Sequence, residues 1–214
     1  MNLALFDIDG TLTKTHGLCD GPFAEAVQSV LGGPMELDWT LYPDVTDSGI
    51  THAAFERRLG RGPTAEELER VREHYFRNID GCATGAEAMP GAPTVLRRLH
   101  GDGRWVVAIA TGNWTPVAHR KLEWCGIDWK EVPLATADDA MKRADILRAA
   151  IRRTRAEDGR AVYLGDALWD QAAARELGIG FVRVGSRRFD AEHVLDDFQD
   201  FDALLSVLDG AVRC

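Results

Sequence analysis

The chain opens with LALFDIDGTLT over residues 3–13, a short apolar run that leads into an acidic turn. The run Leu3–Ile8 has the length of a buried β-strand, and the apolar opening Met1–Phe6 is too short for the core of a signal peptide. Gly10 lets the chain turn and brings backbone N–H groups close to an anion. Asp7 and Asp9 are two positions apart, so their side chains face the same way on an extended segment. We therefore predict a strand that ends in a paired-carboxylate site.

Short apolar segments alternate with helical patterns along most of the chain. Buried strands are predicted at 105–110, 161–164 and 180–184, with a weaker one at 132–135. Helices are predicted where apolar residues recur three and four positions apart, at Ala92, Val95, Leu96 and Leu99, at Val117, Ala118, Leu122 and Cys125, and at Ile146, Leu147, Ala150 and Ile151. This alternation favours parallel pairing with right-handed crossovers. We therefore predict an α/β fold, a doubly wound, Rossmann-like parallel sheet.

The interval from Lys14 to Gly85 contains helical patterns and no convincing strand. Thr64 and Glu67 have the spacing of a capping box ahead of an apolar stripe, and earlier helices are expected over 23–31 and 50–59. An insertion directly after the first strand would stand over the carboxyl edge of the sheet, where ligands bind in this architecture. The predicted division is a core domain of residues 1–13 and 86–214 and a helical cap domain of residues 14–85.

The overall charge argues against two classes of partner. The net charge is −9 at pH 7 and the isoelectric point is near 5.1. Proteins bind nucleic acids and anionic membranes through basic surfaces, so neither is an expected partner of this acidic chain. The four cysteines are scattered without metal-ligand spacing, which favours a reduced, cytoplasmic protein: Cys19, Cys82, Cys125 and Cys214.

Two adjacent carboxylates repel each other and also repel a phosphate, so the Asp7–Asp9 pair is productive only with a cation. Mg²⁺ takes carboxylate oxygens and retains waters, and it suits such a site best. One carboxylate can then attack phosphorus to form an aspartyl-phosphate while the other handles protons on the leaving oxygen. The alternative is a solvated Asp-Gly turn in which Thr11 caps a helix, and the preceding apolar strand makes that interpretation the weaker one.

Three more groups follow predicted strands, and each is unremarkable by itself. A loop of Thr, Gly and Asn, a pair of bases at a helix start and a Gly-Asp turn are ordinary features. Together they place a hydroxyl, a base and further acids at the carboxyl ends of successive strands, which is the arrangement of a phosphoryl-transfer site. The residues are Thr111, Gly112 and Asn113, then Lys142 and Arg143, then Asp166 and Asp170.

With these motifs in order, the chain resembles the haloacid dehalogenase superfamily over essentially its whole length, and phosphoglycolate phosphatase relatives with a helical cap in particular. The resemblance implies that Asp7 is the nucleophile and Asp9 the general acid/base, that Mg²⁺ is the cofactor, and that a small phosphate ester is the substrate of a monomer or homodimer. The expected metal ligands are Asp7, Asp9, Asp166 and Asp170. The expected phosphate-binding residues are Gly10, Thr11, Thr111, Gly112 and Asn113.

The third motif departs from the pattern of these relatives. They often have Lys-Pro-x-Pro, whereas this chain has Met141-Lys142-Arg143 and no proline. The positively charged residue of this motif, which would neutralise the phosphate, is therefore either Lys142 or Arg143. Ala167 also stands where Ser or Thr is common after the metal-binding Asp.

Other activities of the superfamily remain to be weighed. Asp9 speaks against dehalogenation, because a halide leaving group needs no proton. A phosphonate hydrolase would need a cap amine, and Lys14 is the only lysine in the predicted insertion. A phosphomutase of the β-phosphoglucomutase kind would keep all of these residues and exclude water by closing its cap, and it ranks second. A non-catalytic, phosphate-binding relative ranks last.

The segment from Tyr42 to Ile50 resembles the substrate-specificity loop of capped relatives. Thr46 and Asp47 are the residues expected to contact the leaving group. The alternative is that Asp47 or Ser48 caps the following helix, a role that these residue types often fill. The two interpretations stay equal at this point.

Overall fold

The computed structural model describes residues 1–154 and 160–212, and Cys214 lies outside them. A parallel sheet of six strands in the order β3-β2-β1-β4-β5-β6 forms its centre. Because β1 pairs with β2 on one side and β4 on the other, the strand order reverses beside β1. The strands are β1 Asn2–Phe6, β2 Trp105–Ala110, β3 Leu134–Ala135, β4 Ala161–Gly165, β5 Gly180–Val184 and β6 Val194–Leu195.

Eight α-helices accompany the sheet in the described part of the chain. Both faces of the sheet are covered, because neighbouring side chains of β1 point into two separate apolar clusters: Ala4 and Phe6 into one, Leu3 and Leu5 into the other. The helices are α1 Asp20–Leu31, α2 Asp47–Leu59, α3 Ala65–Asn78, α4 Ala92–Gly101, α5 Thr115–Trp124, α6 Arg143–Thr154, α7 Leu168–Leu177 and α8 Phe201–Ala211.

The predicted α/β class and parallel sheet are confirmed, with small differences at the strand ends. β1 stops at Phe6, before the predicted end at Ile8, because the turn through Gly10 begins there. The weak strand predicted at 132–135 is reduced to two residues. β6 was not predicted, because two residues are too few to show an alternating pattern.

The three helices α1–α3 lie in the interval predicted as the cap, and the division into two domains stays a prediction. The capping box at Thr64 and Glu67 is present at the start of α3. The N-cap of α2 is Thr46, which accepts a hydrogen bond from the Gly49 N–H, so the suggestion of Asp47 or Ser48 as the cap was wrong.

The apolar cluster of these three helices extends beyond the insertion. Trp114, Val117 and Ala137 belong to the sheet-bearing part of the chain, yet they pack with the cap side chains Phe23 and Tyr75. Trp114 is fully buried there, so it does not line an entrance. The insertion and the sheet-bearing part therefore contribute side chains to one common apolar cluster.

Two properties of the chain as a whole bear on its setting. Among the described helices, none combines the length and the apolar character that crossing a membrane requires. Cys19, Cys82 and Cys125 are buried free thiols.

Candidate active site

Four of the predicted site residues meet at the carboxyl edge of the sheet. Asp7 follows β1, Thr111 follows β2, Asp166 follows β4, and Arg143 opens α6. All four line one cavity of about 90 Å³ beside the point where the strand order reverses. Ligands of open parallel sheets bind at this position, because the loops on either side of the reversal diverge and leave a crevice.

Three buried carboxylates lie close together at this site. Oxygens of Asp7, Asp166 and Asp170 all lie within 4.8 Å of one another, an arrangement that could hold a metal ion. Gly10 makes the close approach possible: its φ is +75°, and a Cβ there would lie 2.2 Å from Asp166 Oδ2. The glycine of the first motif is therefore required both by its backbone conformation and by the carboxylate packed against it.

Arg187 Nε lies 3.4 Å from Asp166 Oδ2, and Arg143 provides positive charge to the other two acids. Arg143 Nη1 lies 3.3 Å from Asp7 Oδ1 and 3.2 Å from Asp170 Oδ1, and this side chain is almost buried. Lys142 is exposed. The structure thus brings Arg143, and not Lys142, to the predicted nucleophile.

Burial makes these carboxylates reluctant to ionise. It raises the pKa of Asp7 well above the ordinary range although Arg143 opposes the rise, and it raises the pKa of Asp166 to about 7. The pKa of Asp170 is raised by burial as well. Like charges crowded in a low-dielectric site favour the protonated form unless a cation compensates them. The electrostatics of the site therefore call for more positive charge than Arg143 and Arg187 supply.

Asp9 faces a different partner. Its oxygens accept hydrogen bonds from Lys121 Nζ at 2.7 and 2.8 Å, and Oδ1 also accepts one from the Thr15 hydroxyl. Burial raises the pKa of Asp9, but the Lys121 ammonium outweighs it and the net pKa is below the ordinary value. The structure does not bring the Asp9 carboxylate into the three-acid group formed with Asp7, so its place among the metal ligands stays a prediction.

Lys121 is the site residue that the sequence analysis missed. It is 4% exposed and lies on α5, within the apolar stripe that includes Val117, Ala118 and Leu122. A lysine inside the buried stripe of a helix is uncommon unless it is paired, and this was the available signal. The pattern marks the position as buried, but the carboxylate that pairs with Lys121 is 112 residues away in the sequence.

The predicted phosphate-binding residues divide into two sets. Thr111, Gly112 and Asn113 line the cavity. Gly10 lies on a neighbouring cavity, and the buried Thr11 hydroxyl has no hydrogen-bond partner among the described residues and lines neither space. The loop after β2 is therefore the part of the predicted set that faces the cavity.

The predicted specificity loop is fastened to the sheet-bearing part at this cavity. The Asp47 N–H donates to the Gly112 carbonyl at 2.7 Å, and Asp47 Oδ2 accepts from the Trp114 N–H at 2.7 Å. Arg143 Nη2 donates to the Val45 carbonyl at 2.8 Å. Burial raises the pKa of Asp47 to about 7. Thr46 and Asp47 both line the cavity, so the loop forms part of the cavity wall.

One histidine also reaches the site. His16 lines the cavity, and its Nδ1 lies 3.9 Å from Asp166 Oδ2. The ring is about one-third exposed. His16 therefore stands at the rim of the cavity.

The family follows from a comparison with known proteins. A model described as haloacid dehalogenase-like hydrolase matches residues 1–178. The chain belongs to this family. The hydrolase is also similar to the pyrophosphatase PpaX of Halalkalibacterium halodurans, with 24% identity over 97% of this chain and 98% of that protein.

Solved structures share the fold of this haloacid dehalogenase-like hydrolase. A hydrolase from Pseudomonas syringae superposes with a TM-score of 0.76 at 24% identity, covering 98% of this chain and 99% of that one. CbbY from Rhodobacter sphaeroides in complex with phosphate gives 0.73 at 23% identity, covering 99% of both chains. The predicted superfamily is confirmed.

Proposed function

We propose that this hydrolase is a Mg²⁺-dependent phosphatase that cleaves a small-molecule phosphate monoester through an aspartyl-phosphate on Asp7. One observation carries the proposal: Asp7 and Asp166 of the three-acid group, Arg143 and the loop at Thr111 face a single small cavity, while Asp9 is held separately by Lys121. This arrangement separates a nucleophile from a proton carrier at one site. The CbbY structure that contains phosphate and the relative named a pyrophosphatase support a phosphorylated substrate.

The donor set fits the cation that the family implies. Asp7, Asp166 and Asp170 offer only carboxylate oxygens, which are the ligands of a hard ion such as Mg²⁺. Their raised pKa values also indicate a site that gains stability from added positive charge. When bound, the ion supplies positive charge against the carboxylates and the phosphoryl oxygens.

Each residue then has a defined task. An Asp7 oxygen attacks phosphorus, and the bond from phosphorus to the leaving oxygen breaks. Asp9 gives that oxygen a proton and later takes one from the water that hydrolyses the aspartyl-phosphate. Lys121 favours the carboxylate form of Asp9, which suits the second step. A phosphate dianion in the cavity raises the proton affinity of Asp9, which suits the first.

A phosphomutase remains the second candidate, because it would use the same residues and transfer the phosphoryl group back to an organic hydroxyl. Putative β-phosphoglucomutases are among the structures that share this fold. The products distinguish the two activities: a phosphatase releases inorganic phosphate in equal amount to the ester consumed, whereas a mutase yields an isomeric ester.

The test is phosphate release from p-nitrophenyl phosphate with Mg²⁺, by the wild type and by Asp7→Asn. An amide cannot form the acyl-phosphate, so we expect turnover to be abolished. The variant should stay folded, with a melting transition like that of the wild type. Asp9→Asn should lose about 10²- to 10⁴-fold. Asp128→Asn, on an exposed residue outside the cavity, is the matched control and should retain activity. Wild-type turnover by folded Asp7→Asn would place the nucleophile elsewhere.

A further inference from the structure

A second, larger cavity adjoins the catalytic one. It measures about 730 Å³ and shares Asp20, Trp39, Val45 and Trp169 with the catalytic cavity. It lies between the insertion and the segment after β5, which contributes Arg187 and Arg188. We name this space the Trp39–Trp169 groove. The catalytic cavity holds only about 90 Å³, whereas ligand sites usually measure about 300–1,000 Å³, so the groove offers the room that a larger leaving group needs.

The groove presents two aromatic rings, one from each side. Trp39 comes from the insertion and Trp169 from α7, and both are partly exposed. The Trp39 ring is fixed by its Nε1, which donates to Asp20 Oδ2 at 2.8 Å. The Arg187 guanidinium lies 5.6 Å from the centre of the Trp169 ring, so a positive charge and a flat apolar surface are offered together. Rigid rings of this kind suit a flat ligand.

Among the charged residues of the groove, Arg187 is engaged, with its Nε 3.4 Å from Asp166 Oδ2, and Arg188 is the cationic donor that stays available. Asp20 accepts from Trp39, and Asp38 accepts from the backbone N–H and the hydroxyl of Thr40. Arg188 is exposed and has no ion pair within the part of the chain that the structure describes. The acids are thus occupied by their own neighbours, and the free hydrogen-bonding capacity of the groove belongs to arginine.

We propose that the groove binds the base of a nucleoside monophosphate whose phosphate occupies the catalytic cavity, an inference that rests on the proposed phosphatase function. Every nucleobase has a π-face that stacks on tryptophan, and stacking is further supported by an arginine nearby. The guanidinium fork matches the paired acceptors O6 and N7 of guanine. A sugar phosphate without a base would offer Trp39 and Trp169 no π-face on which to stack.

The first experiment measures kcat/KM of the full chain with Mg²⁺ for GMP, AMP, ribose 5-phosphate, pyridoxal 5′-phosphate and acetyl phosphate. The leaving group of acetyl phosphate is acetate, which is too small to fill the groove, so its turnover tests phosphatase activity alone. We expect the nucleotides to exceed ribose 5-phosphate by about 10-fold or more, the size of one base stacking on an aromatic ring. Equal values would overturn the groove proposal and leave the phosphatase standing. Preference for pyridoxal 5′-phosphate over both nucleotides would also overturn it.

Variants tie such a preference to the groove. The readout is the kcat/KM of GMP divided by that of ribose 5-phosphate for the same variant, so that a general loss of activity cancels. Trp169→Leu and Arg188→Gln should each lower this ratio about 5-fold or more. The matched controls, Trp129→Leu and Arg97→Gln, change the same residue types outside the groove and should leave it unchanged. A ratio unaffected by Trp169→Leu would count against the groove.

A binding measurement separates the groove from catalysis altogether. Saturation-transfer NMR of GMP with the Asp7→Asn protein in Mg²⁺, where turnover is expected to be absent, reports which ligand protons contact it, and the tryptophan variants are made in that background. We expect the strongest signal at H8 of the base, reduced in Trp169→Leu and retained in Trp129→Leu. This result would stand even if acetyl phosphate were not hydrolysed, in which case only the phosphatase proposal fails. Signal confined to the ribose protons would overturn the groove proposal.

Discussion

Lys121 donates through Nζ to both carboxylate oxygens of Asp9, at 2.7 and 2.8 Å, from α5, the helix that follows β2. The ammonium is buried, which lowers its pKa. Asp9 and the other acidic neighbours raise the pKa by more, so the net shift is upward. The predicted general acid/base is therefore one half of a buried ion pair. Such a pair is costly to break, because the remaining charge is left uncompensated.

We predict that Lys121→Met moves the acidic limb of the pH profile of kcat to higher pH, because the ammonium that lowers the pKa of Asp9 is gone. The rate at neutral pH should fall about 10-fold or more. Lys121→Arg keeps the charge, so it should partly restore both the position of the acidic limb and the rate at neutral pH. A limb unchanged in folded Lys121→Met would show that Lys121 only supports the structure.

Arg143→Gln should lower kcat by about 10²- to 10³-fold, the usual loss when a donor to developing charge is removed. Its guanidinium is the base nearest to Asp7, whereas Lys142 is exposed. Lys142→Gln is therefore the matched control, and steady-state rates should stay within about 2-fold of the wild type. The reverse order of effects would assign the third motif to Lys142.

Chelation should abolish turnover, because Asp7, Asp166 and Asp170 would otherwise repel a phosphate ester. Ca²⁺ should inhibit in competition with Mg²⁺, since its looser coordination misplaces the attacking carboxylate. Rates across a Mg²⁺ titration, with and without Ca²⁺, check both statements. Full activity in excess EDTA would remove the metal from the proposal.

The two predicted specificity residues should now behave differently. The Thr46 hydroxyl is committed to Gly49 and to the Met141 carbonyl, so Thr46→Ala should cost about 0.5 to 2 kcal/mol of stability and leave the order of preferred esters unchanged. Asp47 has one oxygen bound to the Trp114 N–H and lines the cavity, so Asp47→Ala should alter that order. Melting temperatures and a substrate panel on the same samples decide between them. An unchanged order in Asp47→Ala would leave the loop a structural element.

Asp47→Asn should stabilise the protein at pH 8 and have little effect at pH 4. The pKa of Asp47 is raised from 3.8 to about 7 by folding, so the wild type loses stability as pH rises from about 4 to 7, where the unfolded chain is ionised and the folded one resists ionisation. The rise corresponds to at most about 4 kcal/mol. The amide keeps an acceptor for the Trp114 N–H. Denaturant midpoints against pH measure the effect, and parallel curves for both proteins would contradict it.

The sequence predicted the sheet well, because buried parallel strands are apolar runs and the helices between them carry clear stripes. It also predicted that Asp7, Thr111 and Asp166 meet a basic residue, either Lys142 or Arg143, since parallel strands end at one edge. The choice between Lys142 and Arg143 required coordinates, because adjacent residues at a helix start differ in direction and not in pattern. The partner of Asp9 was missed for a related reason: a helix stripe shows that a position is buried, but not what it faces.

The packing of Trp114 has a consequence for protein engineering. Chimeras that exchange caps between members of this family would cut the chain near residues 14 and 85, which leaves Trp114, Val117 and Ala137 behind without the apolar partners that bury them here. The graft would also take away the carboxylate that accepts from the Trp114 N–H. A transplanted cap would have to bring a complementary face for that tryptophan, so the exchangeable unit is the insertion together with the contact surface of α5, and not the insertion alone.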